Sequence, residues 1–257
     1  MLLVRYEHKG ETQAGYLDGD SVGSLTGDVF GDFMRGGPVA DVRQVRLLAP
    51  CQPGKVVAVA HNFADQLREL NLPAPDLPEL FFKAPTAVIG PGQPIVLPPQ
   101  AERVQPGAEL AVVIGRAGRW ITPETAPQHI LGYTCANNVL ALDLAMQDQA
   151  WTRAGSFDTF LPLGPAIATH VDPAELMLTC AVNGVTRQLS STHDLLFDVP
   201  QVVAYVSSVM TLLPGDVILM GTPAGGGEGL APGDEVEISI EHIGSLRNPV
   251  VTDTRTS

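Results

Sequence analysis

Three kinds of residue in this sequence have spacing or side chains that suggest chemistry: the cysteines, a glycine run and a histidine. Cys51, Cys135 and Cys180 are too far apart to form a CxxC pair, so we expect buried, reduced thiols. The three glycines at 225–227 lack the lysine and the following helix of a phosphate-binding loop and predict a flexible turn. His61 follows an apolar run and is a candidate to enter a pocket, and a hydrogen-bonded histidine at a strand end is the alternative.

The elements that must position such residues are predicted to be short strands. Asn183-Gly184 is the strongest type of hairpin signal and separates the strand-like segments 176–182 and 185–189. Frequent glycine (26) and proline (22) residues also favour a β-rich α+β fold with many loops. The other core strands are predicted from apolar runs or period-two alternation at residues 56–60, 110–114, 217–220 and 236–240.

Helices are expected to be few. Asp198 is a suitable N-cap for a helix with an apolar face that includes Val199, Val203 and Val206. A weaker helix is predicted to begin near Thr122, which is followed by proline.

The first 50 residues predict a small N-terminal β domain, and residues 51–257 the main domain. Strands are expected at 2–6 and 15–17, and Asp18-Gly19-Asp20 predicts a hairpin turn. The stretch Gly36-Gly37-Pro38 is interpreted as a loop.

Charge and hydropathy exclude several classes of function. A net charge of −13 without a run of lysine or arginine disfavours nucleic acid and anionic membranes as partners. A small anionic substrate stays open, because one pocket can be locally positive on an acidic protein. The first ten residues lack the apolar region of a signal peptide, and no stretch approaches the ~18 apolar residues of a membrane span. We therefore expect a cytoplasmic protein.

A series of motifs from about residue 55 to 250 resembles the fumarylacetoacetate hydrolase family, in the family's order. The similar branch contains acylpyruvases, oxaloacetate decarboxylases and isomerase/decarboxylases of the homoprotocatechuate pathway. The motifs that carry the resemblance are Phe81-Phe82-Lys83-Ala84-Pro85, Glu109-Leu110-Ala111-Val112-Val113-Ile114-Gly115, Gly132-Tyr133-Thr134-Cys135-Ala136-Asn137, Ser156-Phe157-Asp158, Pro214-Gly215-Asp216 and Gly221-Thr222-Pro223.

The resemblance implies a mixed β-sandwich roll with a central pocket and a homodimer. It also implies Mg²⁺ or Mn²⁺ held by three carboxylates, which chelates a 2-oxo acid or β-diketone and stabilises its enolate. A His/Glu pair on a short lid helix would move a proton, assisted by a lysine.

The sequence departs from this pattern at most of the functional positions. Of the three metal ligands, Glu109 alone is retained, because Gly107 and Asn138 replace the other two carboxylates. On the lid, Gln66 replaces the histidine and Glu69 keeps the glutamate. Two further replacements are Gly155 for the lysine and Leu142 for an arginine that is common in the family.

These replacements predict a site without the usual metal ion. Two of three anionic ligands are lost, and a weak Mg²⁺ or Mn²⁺ site built from Glu109, Asn138 and substrate oxygens stays open as an alternative. A glutamine cannot accept a proton, which removes the base for ordinary hydrolysis. A carboxyl group buried without its metal has a raised pKa, so Glu109 is a candidate acid or base.

The candidate catalytic residues are therefore Glu69, Glu109, Gln66 and His61. Candidates for substrate binding are Thr222, Lys83, Arg153 and Asn138, with a structural ion pair as the alternative for Lys83 and Arg153.

The expected function is isomerisation, decarboxylation or cyclisation of a small keto–enol or β-dicarbonyl molecule, without a cofactor. The alternatives are a non-catalytic partner subunit of an active relative and a conventional magnesium-dependent hydrolase or decarboxylase.

Overall fold

The computed structural model describes residues 1–254, and these form a β-rich α+β fold. Apolar residues with strand-forming side chains alternate or run continuously through most of the elements, as expected for strands buried on one or both faces. The strands are β1 (Leu2–His8), β2 (Glu11–Asp18), β3 (Ser21–Gly27), β4 (Phe33–Asp41), β5 (Arg46–Leu48), β6 (Val56–Ala60), β7 (Glu79–Lys83), β8 (Val88–Ile89), β9 (Ile95–Leu97), β10 (Val104–Gln105), β11 (Ala108–Ile114), β12 (Ile130–Asn137), β13 (Leu140–Ala141), β14 (Leu161–Ala168), β15 (Met177–Val182), β16 (Val185–Ser191), β17 (Val217–Leu219), β18 (Glu235–Ile240) and β19 (Gly244–Thr252).

Within residues 1–254 the strands form two main sheets that pack face to face as a mixed β-sandwich roll. The larger sheet has 12 strands, with the central order β1-β14-β12-β11-β17-β6-β7, and the smaller has the order β16-β15-β18-β19-β9. Strands β11, β12 and β14 contact β15, β18 and β19 across the interior. The core between the sheets includes Cys135, Leu178, Ile238 and Leu246. The predicted fold class is confirmed.

Four α-helices occur in the described residues: α1 (Ala64–Leu70), α2 (Leu142–Asp148), α3 (Trp151–Gly155) and α4 (Val199–Val209). Helix α4 is the one predicted from its cap, and its N-terminus has a reciprocal capping box between Asp198 and Gln201. The weaker helix predicted near Thr122 is wrong. That segment forms turns followed by a single 3-10 turn at Ala126–His129, because Pro127 and the short connection to β12 leave no room for an α-helix.

The N-terminal residues form strands β1 to β5, and their sheet continues into the main body. Strand β1 pairs with β14, with Leu3 opposite Ile167. The loop predicted at Gly36-Gly37-Pro38 is wrong, because these residues lie within the edge strand β4. Its pairing with β3 contains irregularities between Val22 and Leu25, which accommodate the proline at an edge. That residues 1–50 are a separate domain stays a prediction.

Several simpler expectations are confirmed. Asn183 and Gly184 have positive φ angles of 53° and 76°, as the predicted two-residue hairpin requires. The three cysteines are free and buried, and burial raises the pKa of each thiol to about 12. None of the helices formed by residues 1–254 has the length and hydrophobicity needed to cross a membrane.

Candidate active site

Glu109 is a buried carboxyl group at the start of β11. This strand is buried along its whole length, and Glu109 is 1% exposed. Oε1 accepts a hydrogen bond from Asn138 Nδ2 at 2.7 Å, and Oε2 accepts one from the backbone N–H of Gly221 at 2.8 Å. Both oxygens are therefore held in place, by the segments that follow β12 and β17.

Asn138 links Glu109 to the ammonium group of Lys83. Lys83 ends β7, is 1% exposed, and donates from Nζ to Asn138 Oδ1 at 2.7 Å and to the Val139 carbonyl at 2.9 Å. The result is a continuous buried chain, Lys83–Asn138–Glu109. We call these three residues the floor of the site.

Burial moves the two titratable groups of the floor toward their neutral forms. Desolvation raises the pKa of Glu109 to about 7, against the opposing effects of its hydrogen bonds to Asn138 and Gly221 and the positive charge of Lys83. Desolvation lowers the pKa of Lys83 to about 7, against the attraction of Glu109. A carboxyl group of this kind can both take up and release a proton near neutral pH.

The floor opens into a small chamber and then into a large cavity. The chamber has a volume of about 30 Å³ and is lined by Glu109, Asn138, Gln66 and Thr222 among others. This volume accommodates one water-sized group, such as a carbonyl or a methylene of a substrate. The adjoining cavity measures about 640 Å³ and shares Gln66, Asn138 and Thr222 with the chamber. Glu109 can therefore contact one atom group of a molecule that occupies the cavity.

Helix α1 carries Gln66 and Glu69 along one side of the cavity. Gln66 Oε1 is shielded from solvent and has no hydrogen-bond partner within residues 1–254. An acceptor in this state is suited to a donor from a bound molecule, because a buried polar atom left unpaired costs free energy. Glu69 is more exposed, and its Oε2 accepts a hydrogen bond from the Gly225 backbone N–H at 3.0 Å. That bond connects the helix to the loop after β17.

Thr222 is oriented by Gln188. The Gln188 side chain is 1% exposed and donates from Nε2 to Thr222 Oγ1 at 3.0 Å and to the Pro223 carbonyl at 2.8 Å. Its Oε1 accepts from the backbone N–H of Ala108 at 2.8 Å. Because a lone pair of Thr222 Oγ1 is engaged by Gln188, its hydroxyl hydrogen is available to donate into the cavity.

His61 lines the cavity, where it is already paired. Its Nδ1 lies 3.0 Å from Glu79 Oε2, and its ring contacts Trp151 edge-on at a centroid distance of 5.9 Å. His61 follows directly after β6, and its backbone φ is 56°. The structure thus brings His61 to the wall of the cavity, with its carboxylate partner on the neighbouring strand.

Lys83 and Arg153 do not line the cavity as direct ligands of a substrate carboxylate. Lys83 is behind Asn138, fully enclosed. Arg153 points to the surface, where it forms a bidentate pair with Asp148 at 2.6 Å and a bond to Gln147. The prediction that these two residues bind substrate is therefore not supported by their geometry. For Arg153, the alternative of a structural ion pair describes what is seen.

Comparison with known proteins agrees with this geometry. Residues 55–251 match the model of the fumarylacetoacetate (FAA) hydrolase C-terminal domain, and residues 1–50 match the N-terminal domain called Rv2993c-like. The chain belongs to the fumarylacetoacetate hydrolase family. The family resemblance inferred from the sequence motifs is confirmed.

Several relatives in the family have names that describe isomerases. The mitochondrial oxaloacetate tautomerase FAHD2A of Bos taurus is 42% identical over 226 residues, covering 83% of this chain and 72% of its own. A solved 5-carboxymethyl-2-hydroxymuconate delta-isomerase from Mycobacterium smegmatis is 42% identical, with a TM-score of 0.92 and coverage of 98% and 100%. A 2-hydroxyhepta-2,4-diene-1,7-dioate isomerase from Mycobacterium marinum is 41% identical, with a TM-score of 0.92 and coverage of 99% and 100%.

The side chains at the floor do not fit the family's three-carboxylate metal site. A Cβ on Gly107 would lie 2.9 Å from the Asn138 carbonyl oxygen and 3.2 Å from Thr222 Oγ1, so neighbouring atoms crowd that place. Asn138 directs its N–H group at Glu109 and its carbonyl oxygen at an ammonium group, whereas a metal ligand must present a free acceptor. Within residues 1–254, no group of three or more His, Cys, Asp or Glu side chains is arranged to hold a metal ion.

Three residues that line the cavity were missed from the sequence. Gln188 was overlooked because a lone glutamine in a strand carries no motif, although it occupies an inward-facing position of β16. Arg103 and Met146 also line the cavity, and no local pattern distinguishes them from surface residues.

Proposed function

We propose that this protein interconverts the keto and enol forms of a small β-dicarbonyl compound and that it does so without a divalent metal ion. The observation that carries the proposal is Glu109, a carboxyl group with a pKa of about 7 that faces a chamber the size of one substrate group. Names of relatives that are isomerases or tautomerases support the same class of reaction.

Enolisation moves one proton from the carbon between two carbonyl groups to a carbonyl oxygen, and ketonisation moves it back. In its ionised form Glu109 takes the proton from carbon, and in its acid form it delivers that proton to the enolate oxygen. Lys83 behind Glu109 limits the cost of the charge through Asn138. Proton transfer by a positioned side chain contributes about 10²–10⁴-fold to such a rate. Both Glu109 oxygens are held by hydrogen bonds, so the carboxylate is already oriented toward the substrate, and this orientation also increases the rate.

The oxygen of the substrate changes from a carbonyl to an enol hydroxyl during the reaction. The Thr222 hydroxyl donates to this oxygen while negative charge develops on it, which stabilises the enolate. Gln66 Oε1 then accepts a hydrogen bond from the enol hydroxyl, a donor that the keto form lacks. The two residues therefore favour the enolate and the enol over the bound ketone.

Hydrolysis is not part of the proposal, because it needs a base that activates water beside the lid. Gln66 occupies that position and cannot take a proton. Glu69, the other lid residue, is exposed, and its Oε2 accepts a hydrogen bond from Gly225, so we assign it to the position of the lid and not to the activation of water.

The proposal is tested by following the enol absorbance of a 1,3-diketone and of oxaloacetate as each relaxes to equilibrium with and without the protein. We expect acceleration by the wild type and its loss in Glu109→Gln, with Arg153→Gln as a control of matched type at the surface. Rates equal to those in buffer for both compounds would contradict the proposal and favour a non-catalytic partner subunit.

A further inference from the structure

We propose that the ligand of this cavity is a compound with a neutral 1,3-dicarbonyl head, an apolar chain and one distal acid group bound by Arg103. This inference rests on the proposed function and specifies its substrate class. It separates the reacting end of the molecule, at the chamber beside Glu109, from its charge, at Arg103 in the adjoining cavity outside the chamber.

A neutral head fits because, among the described residues that line the chamber, there is a carboxyl group and no lysine or arginine, and His61 is already paired with Glu79. Glu109 lies in the small chamber and Glu69 lines the adjoining wall. The nearest ammonium, Lys83, is enclosed behind Asn138 and already donates to two oxygens. A carboxylate attached directly to the reacting ketone would therefore meet negative charge without a counter-ion in contact. Neutral carbonyl oxygens meet the Thr222 hydroxyl instead.

An apolar chain is indicated by the side of the cavity formed by α2 and the residues next to it. Leu140, Leu142, Met146 and Trp151 line this side, and Leu70 of α1 faces into the same space. Met146 is 76% exposed and Leu70 49% exposed, so apolar surface remains open to water at the mouth. A hydrocarbon chain that covers it is favoured by the removal of this surface from solvent. A four-carbon acid would fill the inner end alone.

Arg103 is the one lysine or arginine among the described residues that line the cavity. Its backbone is fixed to the start of α2, because its carbonyl accepts from the Leu142 N–H at 2.9 Å and its N–H donates to Asp143. Its guanidinium group forms no hydrogen bond or ion pair with the rest of residues 1–254, unlike that of Arg153. The position is thus fixed while the cation is free to receive a carboxylate, which guanidinium groups bind with two parallel hydrogen bonds.

Three probes of nine carbons separate head charge from tail charge: 6,8-dioxononanoate, 2,4-dioxononanoate and uncharged 2,4-nonanedione. Binding is measured by quenching of Trp151, which becomes the only tryptophan in a Trp120→Phe background. We expect 6,8-dioxononanoate to bind at least about tenfold more tightly than either of the others, consistent with one charge-assisted bidentate pair. Arg103→Met should erase its advantage over 2,4-nonanedione, and Arg103→Lys should retain part of it.

One control variant sharpens the test. Arg153→Met should change none of the affinities, because Arg153 pairs with Asp148 outside the cavity. Tightest binding of 2,4-dioxononanoate by the wild type, or an unchanged order of affinities in Arg103→Met, would overturn the inference.

Binding and turnover distinguish this inference from the proposed function. Arg103-dependent binding of 6,8-dioxononanoate without faster tautomerisation would support the ligand class and refute the enzymatic proposal. Acceleration confined to 2,4-dioxononanoate would support tautomerisation and refute the ligand class.

Discussion

The floor and the lid side of the cavity hold their carboxyl groups in opposite ways. On the floor, Glu109 is 1% exposed, and both of its oxygens are hydrogen-bonded within a chain that ends at Lys83. On the lid, Glu69 is exposed near the end of a seven-residue helix, and its Oε2 accepts a hydrogen bond from the backbone N–H of Gly225.

This difference indicates that the buried floor, and not the exposed lid, is suited to proton transfer. A rigid, dry environment shifts a pKa and fixes an orientation, whereas an exposed carboxylate keeps its ordinary solvation. We therefore assign proton transfer to the floor and access to the lid.

The largest expected effect is that of Glu109→Gln on catalysis. The variant should lower the rate of keto–enol interconversion by about 10²–10⁴-fold, because the amide cannot carry the proton. Steady-state kinetics on a 1,3-diketone measure this, with circular dichroism to verify folding. A loss of less than threefold would refute the role of the floor.

Lys83→Met should destabilise the protein by about 3 kcal/mol, because it removes the buried donor of Asn138 Oδ1 and the cation beside Glu109. Without the lysine charge the Glu109 pKa should rise further, which moves the activity profile to higher pH. Urea denaturation measures the loss of stability, and a pH–rate profile measures the shift in activity.

Lys55→Met is the matched control, since Lys55 pairs with buried Asp216. It should lower stability and leave the pH profile unchanged.

The contribution of Glu109 to the free energy of unfolding should fall as pH rises. Folding raises the pKa of Glu109 from its ordinary value of 4.5 to about 7, so the folded state binds this proton more tightly than the unfolded state. Its contribution is fully present below pH 4.5 and is lost as pH rises through 7. Relative to Glu109→Gln, the wild type should lose up to about 3 kcal/mol over this range. If the free energies of unfolding of the two proteins differed by a constant amount from pH 4.5 to 7.5, this would contradict a raised pKa of the buried Glu109 carboxyl group.

Glu69→Gln should reduce turnover by no more than about tenfold, mainly through KM. The glutamine oxygen can still accept the hydrogen bond from Gly225, so only the charge is lost. If kcat instead fell as far as in Glu109→Gln, the assignment of proton transfer to the floor would have to be reversed.

Arg153→Gln is expected to have the smallest effect. Its exposed pair with Asp148 should contribute less than about 1 kcal/mol to stability. Kinetic constants that differ from the wild type by more than twofold would place Arg153 in the site after all.

Local signals in the sequence predicted individual elements and the β-rich class, whereas the sandwich roll was implied by the family resemblance. The Asn183-Gly184 hairpin and the Asp198 cap depend on a few adjacent residues and occur as predicted. The edge strand containing Gly36-Gly37-Pro38 was missed because its pairing with β3, which local composition does not encode, overrides the loop-like residues.

The site could be predicted in part. Motif positions identified Glu109, Asn138, Gln66 and Thr222, and the structure brings all four together. Side-chain direction could not be predicted, so Lys83 and Arg153 were expected to face a substrate. One is enclosed by the core, and the other turns outward to Asp148. Gln188 is distant from Thr222 in sequence, and only the folded sheets reveal their contact.

The central claim is that Glu109 moves a substrate proton without a divalent metal ion. The most direct measurement is NMR of the exchange of the methylene protons of a 1,3-diketone into D₂O, with EDTA present and then with Mg²⁺ or Mn²⁺ in excess. The account predicts rapid exchange by the wild type in EDTA, no further gain on adding metal, and loss of exchange in Glu109→Gln. Exchange that appears only after metal is added would contradict the account and restore the metal-dependent alternative.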